Sequence, residues 1–427
     1  MQKRVGLVTL VAAVIGSVFV AQQALAVDIR ITCYSDGNEC PSQKEMSAEF
    51  MKQNPDIRVI IDEVPYSAIL QSLPVQLAAG NGPDIARVTA FGTLEQYFLD
   101  LRPYLKDADY WDKEFGKQLP WLRNGAQDNG IYGLPTQTTV TAAIVNKTLF
   151  EQANVPLPGP TATWDEWAAA ADKVAKATKV PFGMAWDRSG HRFAGPAISY
   201  GAKYFKPDGT PDVVDDGFKA MASKFVGWAN SGTIDKDVWV SASGSGYRDA
   251  FSDFQNGQIV LYYSGSWQLR RLIDQIGDGF DWVVVGNPCG PAACTGMPGG
   301  AIFAAFKQTK NPEAVARYLD WFAQPQRYAE LMAKTANIPA QAELQASGTV
   351  KYELTPAGNA AMQAFATAAT KVPPLAYQLQ GYKYAFQIFT PTADRLSQVI
   401  AGQITLDQAY ARITQDVADA LATAAKK

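Results

Sequence analysis

At 427 residues the chain is longer than one hydrophobic core usually serves, so two lobes are expected. Its 38 basic and 41 acidic residues leave a formal charge of −3, which gives no reason to expect nucleic acid or an anionic membrane as a partner. One histidine beside eighteen tyrosines and ten tryptophans argues against a histidine metal site and for flat, amphipathic contact surfaces.

The first 26 residues look like an export signal. Lys3 and Arg4 are followed by an apolar run from Val5 to Val20, and Ala24-Leu25-Ala26 has the small-x-small form of a cleavage site. The run is short of the roughly 20 apolar residues that a spanning helix needs. Cleavage after Ala26 leaves a mature chain beginning at Val27 with a charge of −5. No cysteine sits at the cleavage point, which favours a periplasm over a lipid-anchored location. The four cysteines form two close pairs, Cys33 with Cys40 and Cys289 with Cys294. In an oxidising compartment they are expected as two local disulfides, each stabilising by roughly 2–3 kcal/mol.

Alternation of Ile29, Ile31 and Cys33 predicts a first strand. Ser42-Gln43-Lys44-Glu45 has the form of a capping box for a helix ending near Asn54-Pro55, and Ile57 to Val64 predicts a second strand. Strand, helix, strand in this length is a βαβ unit with a parallel pair. A helix over Tyr66–Ala79, a short strand over Asp84–Val88 and a helix over Leu94–Leu105 follow. Ala142–Asn146 predicts a strand and Thr148–Ala153 a helix. Thr163-Trp164-Asp165-Glu166 is a second capping box, for a helix over Trp164–Ala177. Ile259–Tyr263 and Trp282–Val285 are further strands. Asn311-Pro312 starts another helix. Thr405 and Gln408 open the last one, whose stripe Leu406, Tyr410, Ile413, Val417 and Leu421 is expected to dock on the core.

Catalytic signatures are missing. His191 would have to serve any serine or cysteine triad, and no nucleophile elbow, P-loop or dinucleotide fingerprint occurs. A carboxylate pair of the glycosidase kind is not excluded by inspection, but nothing marks two acids out.

Several strings in order resemble the family 1 extracellular solute-binding proteins of ABC importers, the group that includes maltodextrin-binding proteins. They are Asn54-Pro55-Asp56-Ile57, Gly82-Pro83-Asp84-Ile85, Gly130-Ile131-Tyr132-Gly133-Leu134-Pro135 with Val145-Asn146-Lys147, and Thr163-Trp164-Asp165-Glu166-Trp167. Phe254-x-x-Gly257-Gln258 with Ser264-Gly265-Ser266-Trp267, then Gly299-Gly300, and Lys310-Asn311-Pro312-Glu313 complete the series. The chain departs in having Cys33-Tyr34 where members often carry a tryptophan, and in having cysteines at all. The resemblance implies an α/β, two-lobed periplasmic binding protein, each lobe an open, mostly parallel sheet flanked by helices. The first lobe would span 27–136 plus about 300–342 and the second 137–299 plus about 343–427. Crossings are expected near Leu134–Thr138, Gly299–Phe303 and Ala340–Lys351. It further implies a monomer without cofactor or metal, which closes on a small carbohydrate and hands it to an ABC permease in the inner membrane.

Ligands of open α/β sheets sit beyond the carboxyl ends of the strands. The candidate ligand residues at those ends are Tyr34, Ser35, Asp36, Arg87, Thr89, Phe91 and Gln137 in the first lobe. In the second they are Trp186, Asp187, Phe193, Ser264, Ser266, Trp267 and Tyr382, with Gly299 and Gly300 at a crossing. Trp267, after a small-residue turn, is the expected stacking platform. Arg87 divides the ligand classes. It would fork onto sugar hydroxyls or onto an anion such as a glycerol-phosphate diester, or else pair internally with Asp36. Arg188, His191 and Arg192 strengthen the anionic option.

Overall fold

In the computed structural model the described residues are 26–125, 127–242 and 246–424. The segment read from sequence as an export signal, residues 1–26, lies outside them apart from Ala26. Alternation of buried aliphatics makes β1 (Val27–Cys33), whose residues pair in register and in parallel with β2 (Ile57–Glu63). The helix Glu39–Gln53 connects them and buries Met46 and Phe50 against the sheet. β3 (Ile85–Val88) continues the parallel run, and β4 is the short segment Gly133–Pro135.

The chain then leaves for a second sheet, built from β5 (Thr139–Asn146), β6 (Phe182–Trp186), β7 (Ile259–Gly265), β8 (Trp282–Gly286) and β9 (Pro298–Gly299). It returns with β10 (Ile302–Ala305), which inserts antiparallel between β3 and β4. The sheet orders are β2-β1-β3-β10-β4 and β6-β7-β5-β8, with β9 paired to the start of β5. Both sheets are therefore mixed, and the expectation of mostly parallel sheets is corrected. Strands arriving from the other lobe enter against the local direction, and β5 runs antiparallel to both β7 and β8.

Each sheet carries its own core. Ile29, Ile31, Phe50, Trp111, Phe303, Phe322 and Tyr328 pack in the first lobe, and Trp164, Trp186, Phe193, Phe225, Tyr262 and Phe365 in the second. The lobes are joined at residues 136–138, at residues 300–301, and a third time beyond the helix Ala342–Ser347. Leu344, Val350 and Tyr352 still pack in the first core, whereas Leu354 packs in the second. That third passage therefore falls about ten residues later than the boundary expected from sequence.

Three local expectations change. The helix expected to start at Ser42 starts at Glu39, because the Cys33–Cys40 disulfide and the Ser35 hydroxyl, which accepts from the Cys40 N–H at 3.1 Å, tie its first turn to the end of β1. Ser42 lies buried inside that helix and caps nothing. The helix expected over Leu94–Leu105 reduces to two short turns ending at Tyr97. Beyond them the backbone runs extended, with Leu99 and Leu101 donating to Ala305 and Ile131. Asn311 does not cap the helix Pro312–Ala323; its side chain donates to the Asp28 carbonyl. The boxes at Thr163–Glu166 and Thr405–Gln408 do form, and Ile413 and Val417 are buried as the terminal stripe requires. Cys289–Cys294 is the second disulfide, and no cysteine among the described residues is free.

Candidate functional site

A cavity of about 120 Å³ lies between the lobes. The end of β1 supplies Tyr34 and Asp36, the helix Tyr66–Ala78 supplies Tyr66 and Leu70, and Thr89 and Gln137 complete the first-lobe side. The second lobe contributes Thr139, residues 188–192, Tyr247, Trp267 and Gln380, and one face of the helix Ala385–Ile400 through Phe386, Phe389, Thr390 and Ala393. Gly299 and Gly300 floor it where the chain crosses; a Cβ on Gly300 would collide with the Gln137 carbonyl.

On the first-lobe wall, the Arg87 guanidinium is fully buried and turned inward. It donates to the Tyr34 carbonyl at 3.1 Å, to Asp36 at 3.2 Å and to the Gln137 amide oxygen at 3.2 Å, and it pairs with Glu39 at 3.4 Å. It also lies 4.1 Å from the Tyr34 ring centre. Arg87 does not line the cavity, so the internal pair with Asp36 is what the fold adopts. Both Arg87 bonds fall on one oxygen of Asp36, and the residue itself lines the cavity. Burial outweighs the neighbouring Arg87 and raises the Asp36 carboxyl to about 6. The Tyr66 ring lies tilted against Tyr34 with centroids 4.8 Å apart, and its hydroxyl shares a 2.7 Å hydrogen bond with Thr89.

The opposite wall is organised by the helix Gly190–Ser199. Ser189 caps it by accepting from the His191 N–H, so its positive end faces the cavity. Arg192 projects from this first turn. Its guanidinium sits 4.0 Å over the Trp267 ring, donates to His191 Nδ1 at 2.8 Å and stands 3.7 Å from Asp187. His191 Nε2 donates to the Pro298 carbonyl at 3.0 Å. Burial, helped by Arg192, drives this imidazole down to about 3, so it is neutral at physiological pH. Asp187 is buried out of the cavity. It accepts from the hydroxyls of Tyr247, Tyr262 and Ser264 at 2.6–2.8 Å and from the Ala250 N–H at 3.2 Å, and its carboxyl is raised by that burial. Its part in the wall is to fix Tyr247. Gln380 is buried, and its amide oxygen finds no partner in the protein; nearby His191 has already spent its Nε2 on Pro298.

Of the residues singled out from sequence, Tyr34, Asp36, Thr89, Gln137, Trp267, Gly299 and Gly300 line this cavity. Phe91 and Tyr382 line a smaller void beside it. Others are elsewhere. Trp186 packs against Trp164, Phe225 and Tyr263, and Phe193 against Phe218, because their elements turn these faces to the second core. Ser264 is held by Asp187, Ser266 accepts from the Val140 N–H, and Ser35 binds Glu63. Trp267 does reach the cavity, but one face of its ring carries Arg192, so the wall presents a guanidinium seated on an indole. Tyr66, Tyr247, Gln380 and Phe389 were missed. No strand-end signal marks them, although the apolar stripe of the helix Ala385–Ile400 could have pointed to Phe389.

Relatives and structural neighbours agree with this architecture. The family model for bacterial extracellular solute-binding proteins matches residues 41–328. The arabinooligosaccharide-binding protein of Bacillus subtilis is 26% identical over 245 residues, 55% of this chain and 54% of that one. The sn-glycerol-3-phosphate-binding periplasmic protein of Salmonella typhimurium is 24% identical over 354 residues, 78% of this chain and 77% of that one. An ABC substrate-binding protein of Listeria monocytogenes, solved with cycloalternan, matches in fold with a TM-score of 0.78 at 21% identity, covering 93% of this chain and 99% of that one. Two sheets joined by three crossings, a cleft between them and a family match over two thirds of the sequence lead to one assignment: the chain belongs to the bacterial extracellular solute-binding proteins.

Proposed function

We propose that the protein captures a neutral carbohydrate between its lobes and presents the closed form to the permease of an ABC importer, acting in the periplasm as a monomer without cofactor or catalysis. The observation that carries this is the mixed lining of the cavity. Tyr34, Tyr66 and Tyr247 offer flat apolar faces, while Asp36, Arg192 and Gln380 offer acceptors and donors to hydroxyls. The sugar-binding relatives, the signal-like sequence pattern over residues 1–26 and the two disulfides support the reading. A neutral ligand is favoured over an anion because Arg87 is spent on carboxylates, and because Arg192 is faced across the cleft by Asp36 and backed by Asp187. A glycosidase needs two acids about the bond it cleaves, and Asp36 is the one carboxylate among the described lining residues.

A thermal-shift screen against neutral sugars and against glycerol phosphodiesters tests this directly. A neutral sugar at 100 times its Kd should stabilise the protein by about 2.7 kcal/mol. Its affinity should change little with salt, since no net charge is neutralised on binding. Affinity that falls steeply between low and high salt would reassign the ligand to an anion, and turnover of aryl glycosides would make the protein an enzyme.

A further inference from the structure

The lobes meet again just past the cavity, through residues 381–384, a strap between the helices Pro374–Gly381 and Ala385–Ile400 of the second lobe. Lys383 reaches across to the first lobe, where its ammonium pairs with Glu95 at 3.1 Å and donates to the Asn124 side chain at 3.1 Å. Its carbonyl lies directly on Gly92, where any Cβ would collide with it. A Cβ on Gly381 would come within 2.6 Å of the Trp121 ring. Two glycines thus permit backbone-to-wall contact between lobes that have no covalent link here.

This contact ends the cleft. The small void beyond the cavity shares Thr89, Gln380 and Phe386 with it and is otherwise bounded by strap residues and by Phe91, Gly92 and Trp121. Its volume is about 10 Å³, room for no more than one water. Tyr66 and Tyr247 make a second contact between the lobes, edge to face at 5.6 Å. A second sugar unit extending past Gln380 from one in the cavity would have to occupy the space where Lys383 rests on Gly92.

We propose that the strap at residues 381–384 sets the length of the ligand at one sugar ring, a specificity role that rests on the carbohydrate reading above. At this point the cleft is closed by the strap backbone, which the Lys383 side chain holds against Gly92 through its pair with Glu95.

Native mass spectrometry with an equimolar mixture of glucose, galactose, mannose, arabinose and xylose, of maltose, lactose and cellobiose, and of maltotriose reads ligand length from the bound mass. The wild-type protein should retain a single pentose or hexose, at least tenfold over any disaccharide. Replacing Tyr382 and Lys383 together by glycine, with Gln380 kept, should raise disaccharide retention at least tenfold relative to monosaccharide. Lys383→Gly alone serves if the double variant does not melt cooperatively. A wild-type protein that holds disaccharide or trisaccharide overturns the proposal and leaves the carbohydrate reading intact. So does a folded strap variant that still takes only monosaccharide. If no sugar of any length is retained, the carbohydrate reading itself fails, and the strap's role falls with it.

Discussion

Gln380 combines two costs that a single substitution separates. Its amide oxygen is buried without a partner, which penalises the folded protein by about 1–3 kcal/mol if no ligand satisfies it. A sugar hydroxyl donating to that oxygen would remove the penalty on binding. Gln380→Leu should therefore raise the melting temperature of the ligand-free protein while weakening the ligand roughly tenfold by calorimetry. A fall in both would mean that the residue is simply packing. Asp36 and His191 make a second residue-scale case, because their shifts oppose each other. Asp36 is held near 6, above its ordinary 3.8, so the folded state takes up protons first and gains relative stability as pH falls from 6 toward 4. His191 is held near 3, below its ordinary 6.5, so its contribution is present above 6.5 and is lost as pH falls toward 3. The two offset each other over the interval they share. Asp36 faces Arg87 and Glu39 from its own lobe and Arg192 from the other, and Asp36→Asn removes only the proton-binding member. Urea unfolding at pH 7 and pH 4.5 should then show a steeper acid loss in Asp36→Asn than in wild type. Equal slopes would mean that Asp36 titrates normally.

At the scale of elements, the turn from β1 into its helix concentrates most of the first-lobe wall. The Cys33–Cys40 disulfide closes it, Ser35 holds the Cys40 N–H, and Glu39 turns back to accept from the Asp36 and Gly37 N–H groups at 3.0 and 2.9 Å. Tyr34 and Asp36 are presented on that frame. Replacing both cysteines by serine should cost about 2–3 kcal/mol of stability and also weaken ligand binding, since the loop is then free to leave its bound geometry. Calorimetry at a temperature where the variant is fully folded separates the two effects; unchanged affinity there would make the disulfide purely structural. The pairing of these cysteines was legible from spacing, but the helix start was not. Ser42 and Glu45 have the right types at the right spacing, yet a covalent tie between residues two and nine positions upstream of Ser42 fixes the first turn earlier and overrides the local signal. Trp186 and Phe193 show the same limit on the other lobe. Sequence places them near strand and helix ends, but which side of the sheet each ring takes is decided by partners such as Trp164 and Phe218, far off in the chain.

Over the whole molecule, single strands such as Val27–Cys33 and Ile259–Gly265 were legible from their residue pattern, whereas the two-lobed arrangement rested on chain length and on the family resemblance. The cavity was legible only in part. Its first-lobe wall follows strands in order, whereas Tyr247, Gln380 and Phe389 reach it from helices and a loop of the second lobe. The three crossings have a consequence for how the chain is made. β10 is the strand that holds β3 and β4 in one sheet, and it begins at Ile302. The helix that completes the first core by placing Leu344 runs later still. Neither lobe can close around its core until most of the polypeptide has been synthesised. A ribosome-bound chain of 300 residues thus carries an N-terminal sheet with its joining strand missing, and it has no finished unit to unfold again. A fold that postpones its own completion in this way stays compatible with passage of an extended chain through a channel until its last third arrives.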